Sequence, residues 1–188
     1  MSAAEIDIPR KVWTRADLDK IDPALAESLE LIHGDLLDTM GKKPPHTYWK
    51  QALRDWLVEQ FGLEYVQSED PIDVSSEDNP TNEPEPDLTL TLASWRVRRG
   101  EHPKPEDIRL LIEVSDTTYR LDTKVKADLY ARAGIREYWV VDIRDPEAPR
   151  LLIHRDPHEG HYRTQSTHSH FETIFVLEGH SLRLGDLG

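Results

Sequence analysis

The chain contains no cysteine. That absence excludes disulfides, thiolate metal centres and thiol nucleophiles together, so any metal must be held by oxygen or imidazole ligands. Long apolar runs are missing too. No stretch approaches the roughly 18 apolar residues of a membrane-spanning helix, and the opening segment MSAAEIDIPRKVW lacks the apolar heart of a secretion signal. A cytoplasmic chain with no membrane partner is expected. Neither a Gly-rich phosphate loop nor a Gly-x-Ser-x-Gly elbow occurs, which leaves kinase, NTPase and serine-hydrolase readings without a basis. Positive charge is scarce. Lys and Arg number 23 against 36 Asp and Glu, for a net charge of -13, so a polyanion would be repelled at long range.

What is present suits one domain over residues 1–188, low in mean hydropathy at -0.64 but supplied with five Trp and six Tyr as core pieces. Thr14 to Asp17 has a capping-box pattern that opens a short helix running to about residue 28, with an interruption at Asp22-Pro23. LELIHGDLLDTM, residues 29–40, reads as a hairpin turning at Gly34, so the N-terminal helix and hairpin occupy 14–40. GKKPP is a loop. Residues 46–61 carry Trp49, Leu53, Trp56 and Leu57 at helical spacing, and Gly62 stops the helix. Short strands are expected at 63–67 and 72–74. Residues 75–86 are an acidic loop.

The core block is 86–142. It holds strands at 87–92 and 108–114, separated by a basic excursion, then a helix over 122–133 ended by Gly134 and an apolar strand at 136–142. The region 150–188 is expected to form hairpins, with strands at 150–154, 161–164 and 173–177. Strand–helix–strand over 108–142 implies a parallel right-handed crossover, while the hairpins imply antiparallel pairs. The fold class is α/β (α+β), a mixed central sheet with flanking helices.

The informative run is LLIEVSD, residues 110–116. It reads as a buried strand, yet it contains Glu113. A buried unpaired carboxylate costs several kcal/mol, so something must compensate it. Strand alternation puts Leu111, Glu113 and Ser115 on one face and Ile112 and Val114 on the other. Asp87 opens another strand, PDLTLTL, and Lys124 and Lys126 open the helix that follows. Asp87, Glu113 and the carbonyl of Val114 would give Mg²⁺ three hard oxygen ligands, with water and a phosphate oxygen completing the octahedron. Lys126, on a helical face with Asp122 and either Leu129 or Tyr130, would lean over the strand end. Two carboxylates and a lysine converging on a sheet suffice for metal-assisted phosphodiester cleavage. Taken alone, Glu113 fits equally well a structural ion pair with a core Arg or Lys, and Lys126 an ordinary solvated helix face.

PDLTL followed by LLIEVSDTTYRLDTKVKADLYARAGIREYWVVD resembles the Uma-two family, restriction-endonuclease-like members of the PD-(D/E)XK nuclease superfamily. The resemblance extends over nearly the whole chain. It implies a sheet core flanked by helices, a Mg²⁺ site (Mn²⁺ as the other candidate), a nucleic-acid substrate, DNA first, and a homodimer. It assigns Asp87 and Glu113 as metal carboxylates, Lys126 as the catalytic lysine moved from strand to helix, and Glu30 as an additional N-terminal acid. Tyr130 matches the aromatic after the lysine, and His46 a histidine at the start of the first long helix. One departure concerns the parent superfamily: its strand lysine is replaced here by Ser115, as the family itself shows. Activity then depends on Lys126, or Lys124, reaching the site.

Arg96, Arg98 and Arg99 form the candidate phosphate-contacting patch, and residues 95–136 hold ten Lys and Arg against seven Asp and Glu. His154, His158, His161, His168, His170 and His180 crowd the C-terminal region, where an exposed polar hairpin explains them better than a cupin metal site. The stretch 69–87, with eight carboxylates, lacks the ligand order of an EF-hand and reads as a solvated loop. Two functions remain: a Mg²⁺-dependent endonuclease, favoured by Asp87, Glu113 and Lys126, and a non-catalytic module binding a protein or nucleic-acid partner, favoured by the net charge.

Overall fold

The computed structural model describes residues 10–39 and 41–187. Thr14 and Asp17 exchange the hydrogen bonds of a capping box and start α1, Arg15–Leu18, and Asp22 caps α2, Pro23–Ala26. The expected first helix is therefore two single turns. They part at Asp22 because a residue before proline is pushed out of the helical region. β1 (Leu29–Ile32) and β2 (Asp35–Asp38) pair antiparallel around His33 and Gly34, whose φ values of 49° and 75° supply the left-handed pair a two-residue hairpin requires. Residues 1–9 and Met40, the last of the expected hairpin, lie outside the described residues.

Pro44 and Pro45 belong to the next helix rather than to a loop. α3 spans Pro44–Phe61, with prolines in the first turn, where a missing N–H removes no helical hydrogen bond. Residues 63–67 shorten to a 3₁₀ turn and β3, Val66–Gln67. Residues 72–74 form no strand. Ile72 and Asp73 donate instead to the carbonyls of Pro84 and Pro103, and Arg15 donates to the Ile72 carbonyl, so irregular neighbours satisfy this backbone.

β4 (Leu88–Thr91), α4 (Trp95–Arg98) and β5 (Ile108–Ser115) follow. A π turn over Leu121–Lys126 runs into α5, Ala127–Arg132. β6 is Glu137–Asp142, β7 Arg150–His158 and β8 His161–Ser169, with two-residue strands β9 (Ile174–Phe175) and β10 (Ser181–Leu182) beyond. The main sheet has the order β3-β4-β5-β6-β7-β8. β5 and β6 are parallel and joined across α5, as the crossover demands, and every other neighbouring pair is antiparallel.

Two apolar layers hold the sheet. Trp49, Leu53, Trp56 and Leu57 of α3 pack on Leu110, Ile112, Val114 and Trp139 on one face. Leu129, Tyr130 and Ala131 of α5 pack on Leu111, Tyr138 and Val140 on the other. β7 and β8 are longer than their apolar patterns suggest, because much of β8 is polar and solvent-facing and shows no alternation to count. His154 departs from the expected exposed cluster. It is buried, its ring 5.5 Å from Tyr138 and 5.7 Å from Tyr162. Among the described residues no helix is long and apolar enough to cross a membrane.

The hairpin turn gives a first test. A Cβ on Gly34 would collide with the Val12 side chain and hold a left-handed φ. Gly34→Ala is expected to destabilise the protein by about 1–2 kcal/mol in urea unfolding. An unchanged midpoint would show that this turn is not fixed as described.

Candidate active site

Register builds the site. Leu88 of β4 stands opposite Ile112 of β5, so one step further Asp87 stands beside Glu113. Alternation sends Ile112 and Val114 into the α3 layer and Leu111 and Glu113 toward α5, as the sequence pattern predicts. Asp122, Lys126 and Tyr130 recur every fourth residue along the π turn and α5, and all three are buried. A π turn holds more residues than a regular helical turn, and such widenings concentrate at functional sites.

Lys126 is the centre. Its Nζ lies 2.9 Å from Glu113 Oε1 and 2.8 Å from Glu30 Oε1, although the residue is only 4% exposed. Tyr130 donates its hydroxyl to the same Glu113 oxygen at 3.2 Å, and the Glu85 N–H donates to Glu30 Oε1 at 2.9 Å. Asp87 Oδ2 accepts from the Val114 N–H at 2.8 Å and lies 3.1 Å from His46 Nε2. An ionised carboxylate only accepts, so this contact makes Nε2 the donor. Asp87 Oδ1 faces Lys42 Nζ at 3.3 Å. Asp122 Oδ2 accepts from Ser115 Oγ at 2.7 Å and Thr118 Oγ1 at 2.6 Å. All of these residues except Tyr130 and Ser115 border an open cavity of about 200 Å³, lined also by Lys43 and Asp116.

The cavity wall carries more buried carboxylate than its one buried ammonium neutralises. Burial pushes Glu113 well above the usual carboxylate range against the pull of Lys126, and Asp122, Asp87 and Glu30 add to the rise. Burial also raises Asp122. Burial works against the Lys126 ammonium, but Glu113, Glu30 and Asp122 outweigh it and hold Lys126 well above the ordinary lysine value. Asp87 goes the other way. Burial would raise it, yet the His46 hydrogen bond, the His46 and Lys42 charges and the Val114 N–H bring it below the ordinary value. Glu85 is pushed up to about 7 by burial, then by Glu30 and Glu83.

Asp87, Glu113 and the Val114 carbonyl are a set of hard oxygen donors, and the surplus of carboxylates would be relieved by a divalent cation. Among the described residues no group of three or more His, Asp or Glu side chains forms a metal cage. Mg²⁺ does not require one, since it keeps several waters and is held by one or two carboxylates plus substrate phosphates. The donor set fits such an ion.

The fold thus gathers Asp87, Glu113, Lys126 and Glu30, with Tyr130 on Glu113 and His46 on Asp87, while Ser115 bonds Asp122 instead. Lys124 is exposed and does not line the cavity, which leaves Lys126 as the helical lysine of the site. Arg96, Arg98 and Arg99 are not at the cavity. They follow the far end of β4, roughly 14 Å or more from Asp87 at about 3.4 Å per strand residue. There Arg96 pairs with Glu64 and Arg98 donates to Gln67. The cations that do line the cavity besides Lys126 include Lys42 and Lys43, which sequence reasoning passed over as loop residues. Their signal was the proline pair that follows, since prolines begin helices and α3 starts at the site's edge.

Removing the ammonium while keeping the carboxylates should be costly. Lys126→Met is expected to lose about 3–5 kcal/mol of stability in urea unfolding. Adding Glu113→Gln should restore part of that loss, and no restoration would show that the two groups are not coupled. Glu85 sets a pH dependence. Its folded value of about 7 lies above the ordinary 4.5, so the folded state binds the proton more tightly. Its contribution is present below pH 4.5 and lost as pH rises toward 7. Glu85→Gln should flatten the fall in melting temperature across that window; an unchanged slope would rule Glu85 out as its source.

Comparison with known proteins bears on the family and the fold. The family Uma2, described as "Putative restriction endonuclease", matches residues 17–184. A solved structure of "a putative nuclease belonging to DUF820 from Anabaena variabilis ATCC 29413" superposes with a TM-score of 0.64. Identity is 12%, over 92% of this chain and 96% of that one, so the likeness is one of fold. No curated protein matches. The matched family segment contains Glu30, Asp87, Glu113 and Lys126, and the chain belongs to the Uma2 family of restriction-endonuclease-like proteins.

Proposed function

We propose that the protein is a divalent-metal-dependent endonuclease that hydrolyses phosphodiester bonds of nucleic acid, DNA first. The observation that carries this reading is the buried Lys126 ammonium 2.9 Å from Glu113, which stands beside Asp87 in the sheet, at an open cavity. Family membership and fold support it. Mg²⁺ or Mn²⁺ bound by Asp87, Glu113 and the Val114 carbonyl would supply Lewis acidity toward the phosphate and a more acidic water. Lys126 supplies positive charge where the pentavalent phosphorus centre gathers negative charge, and it orients the attacking water. Glu30 holds that ammonium together with Glu113. Tyr130 fixes Glu113 Oε1, and His46 and the Val114 N–H fix Asp87 Oδ2, so these side chains would hold the two carboxylates in place for an ion. Two copies acting together would cut both strands of a duplex.

The test is incubation of supercoiled plasmid and single-stranded DNA with Mg²⁺ or Mn²⁺. Cutting should vanish with EDTA and fall on the order of 100-fold or more in Glu113→Gln, Glu113→Ala and Lys126→Ala, each checked for folding by circular dichroism. Absence of cutting by the unmodified protein, or cutting indifferent to these changes, would leave the non-catalytic module that the net charge of -13 favours.

A further inference from the structure

Asp87 has one oxygen already committed inside the protein, because Oδ2 takes the Val114 N–H and His46. The oxygen left for an incoming cation is Oδ1, and Lys42 Nζ stands on it at 3.3 Å. Lys42 is also held by Glu69, which pairs at the same time with Lys50 at 2.6 Å. Lys43, the next residue, is held by Asp116 at 2.7 Å. Lys42 and Lys43 both line the cavity, whose only other described lysine is Lys126.

From this geometry we propose that Lys42 is the resident counter-ion of Asp87, exchanged for the divalent cation and then used, with Lys43, to bind a substrate phosphate. The proposal rests on the metal-site reading above and goes beyond it. A cation reaching Asp87 must take Oδ1 from Lys42, and two positive charges cannot share that oxygen without repulsion. Glu69 keeps the displaced ammonium at the cavity wall, where the phosphate brought to the cation would meet it. A protein of net charge -13 needs local cations to hold a polyanion, and the described arginines 96, 98 and 99 are at the other end of the strand. The assignment makes Lys42 a competitor of the metal and a partner of the phosphate, so its removal acts on the two ligands with opposite sign.

Mn²⁺ titration of the full-length protein, followed by electron paramagnetic resonance without nucleic acid, tests the first half. Asp87→Asn should abolish binding. Lys42→Met should bind Mn²⁺ roughly fivefold tighter, the effect of removing one partly exposed competing charge. Lys50→Met removes an equal charge from the same Glu69 but makes no contact with Asp87, so its effect should be clearly smaller. The second half is read with a fluorescein-labelled oligothymidylate in Ca²⁺ by anisotropy. Lys42→Met and Lys43→Met should each weaken binding and lower the salt slope by about 0.7, one phosphate contact on a single strand. Equal Mn²⁺ effects of Lys42→Met and Lys50→Met, no gain in Lys42→Met, or an unchanged salt slope would overturn the exchange. The two readings separate cleanly. No Mn²⁺ binding by the unmodified protein sinks the metal site itself, whereas Asp87-dependent binding indifferent to Lys42 sinks this inference alone.

Discussion

One ammonium between two buried carboxylates organises this protein's polar interior. Lys126 joins the crossover helix to the preceding strand β5 through Glu113 and to the N-terminal hairpin, distant in sequence, through Glu30. In a low-dielectric setting such a triad is stable only when complete, since any member left alone faces the full cost of desolvation. The surrounding hydrogen bonds follow from that demand. Tyr130 and the Glu85 N–H take up the remaining acceptor capacity of the two carboxylate oxygens that Lys126 touches.

Two residues beyond Glu113, β5 carries the short Ser115 rather than a long cation. Ser115 reaches only to Asp122, which it bonds together with Thr118. That pair anchors the start of the π turn, and from this anchor the helix carries Lys126 back to Glu113 on β5.

How far this was legible follows from periodicity. β5 and its neighbours show apolar runs broken by one carboxylate, so Glu113 stands out in the sequence, while Lys126 and Lys124 are told apart only by burial in the fold. β7 and β8 could not be read to their ends, because their outer residues are polar on both faces and pairing alone keeps them extended. Residues 72–74 misled for the opposite reason. Ile72 and Val74 are apolar and buried, but loops satisfy the backbone here and the segment joins no sheet. Lys42 left only the indirect signal of the prolines after it, since a loop lysine acquires meaning from the carboxylate that folding sets before it. His154 looked like one of several surface histidines until Tyr138 and Tyr162 closed around it.

The widened turn over Leu121–Lys126 constrains how this chain can change over generations. Each residue of a regular helix advances about 100° around the axis. A single-codon deletion between Asp122 and Lys126 would therefore swing one anchor away from β5 while the other stayed. Substitutions on the outer side of that turn cost little, but its length cannot drift.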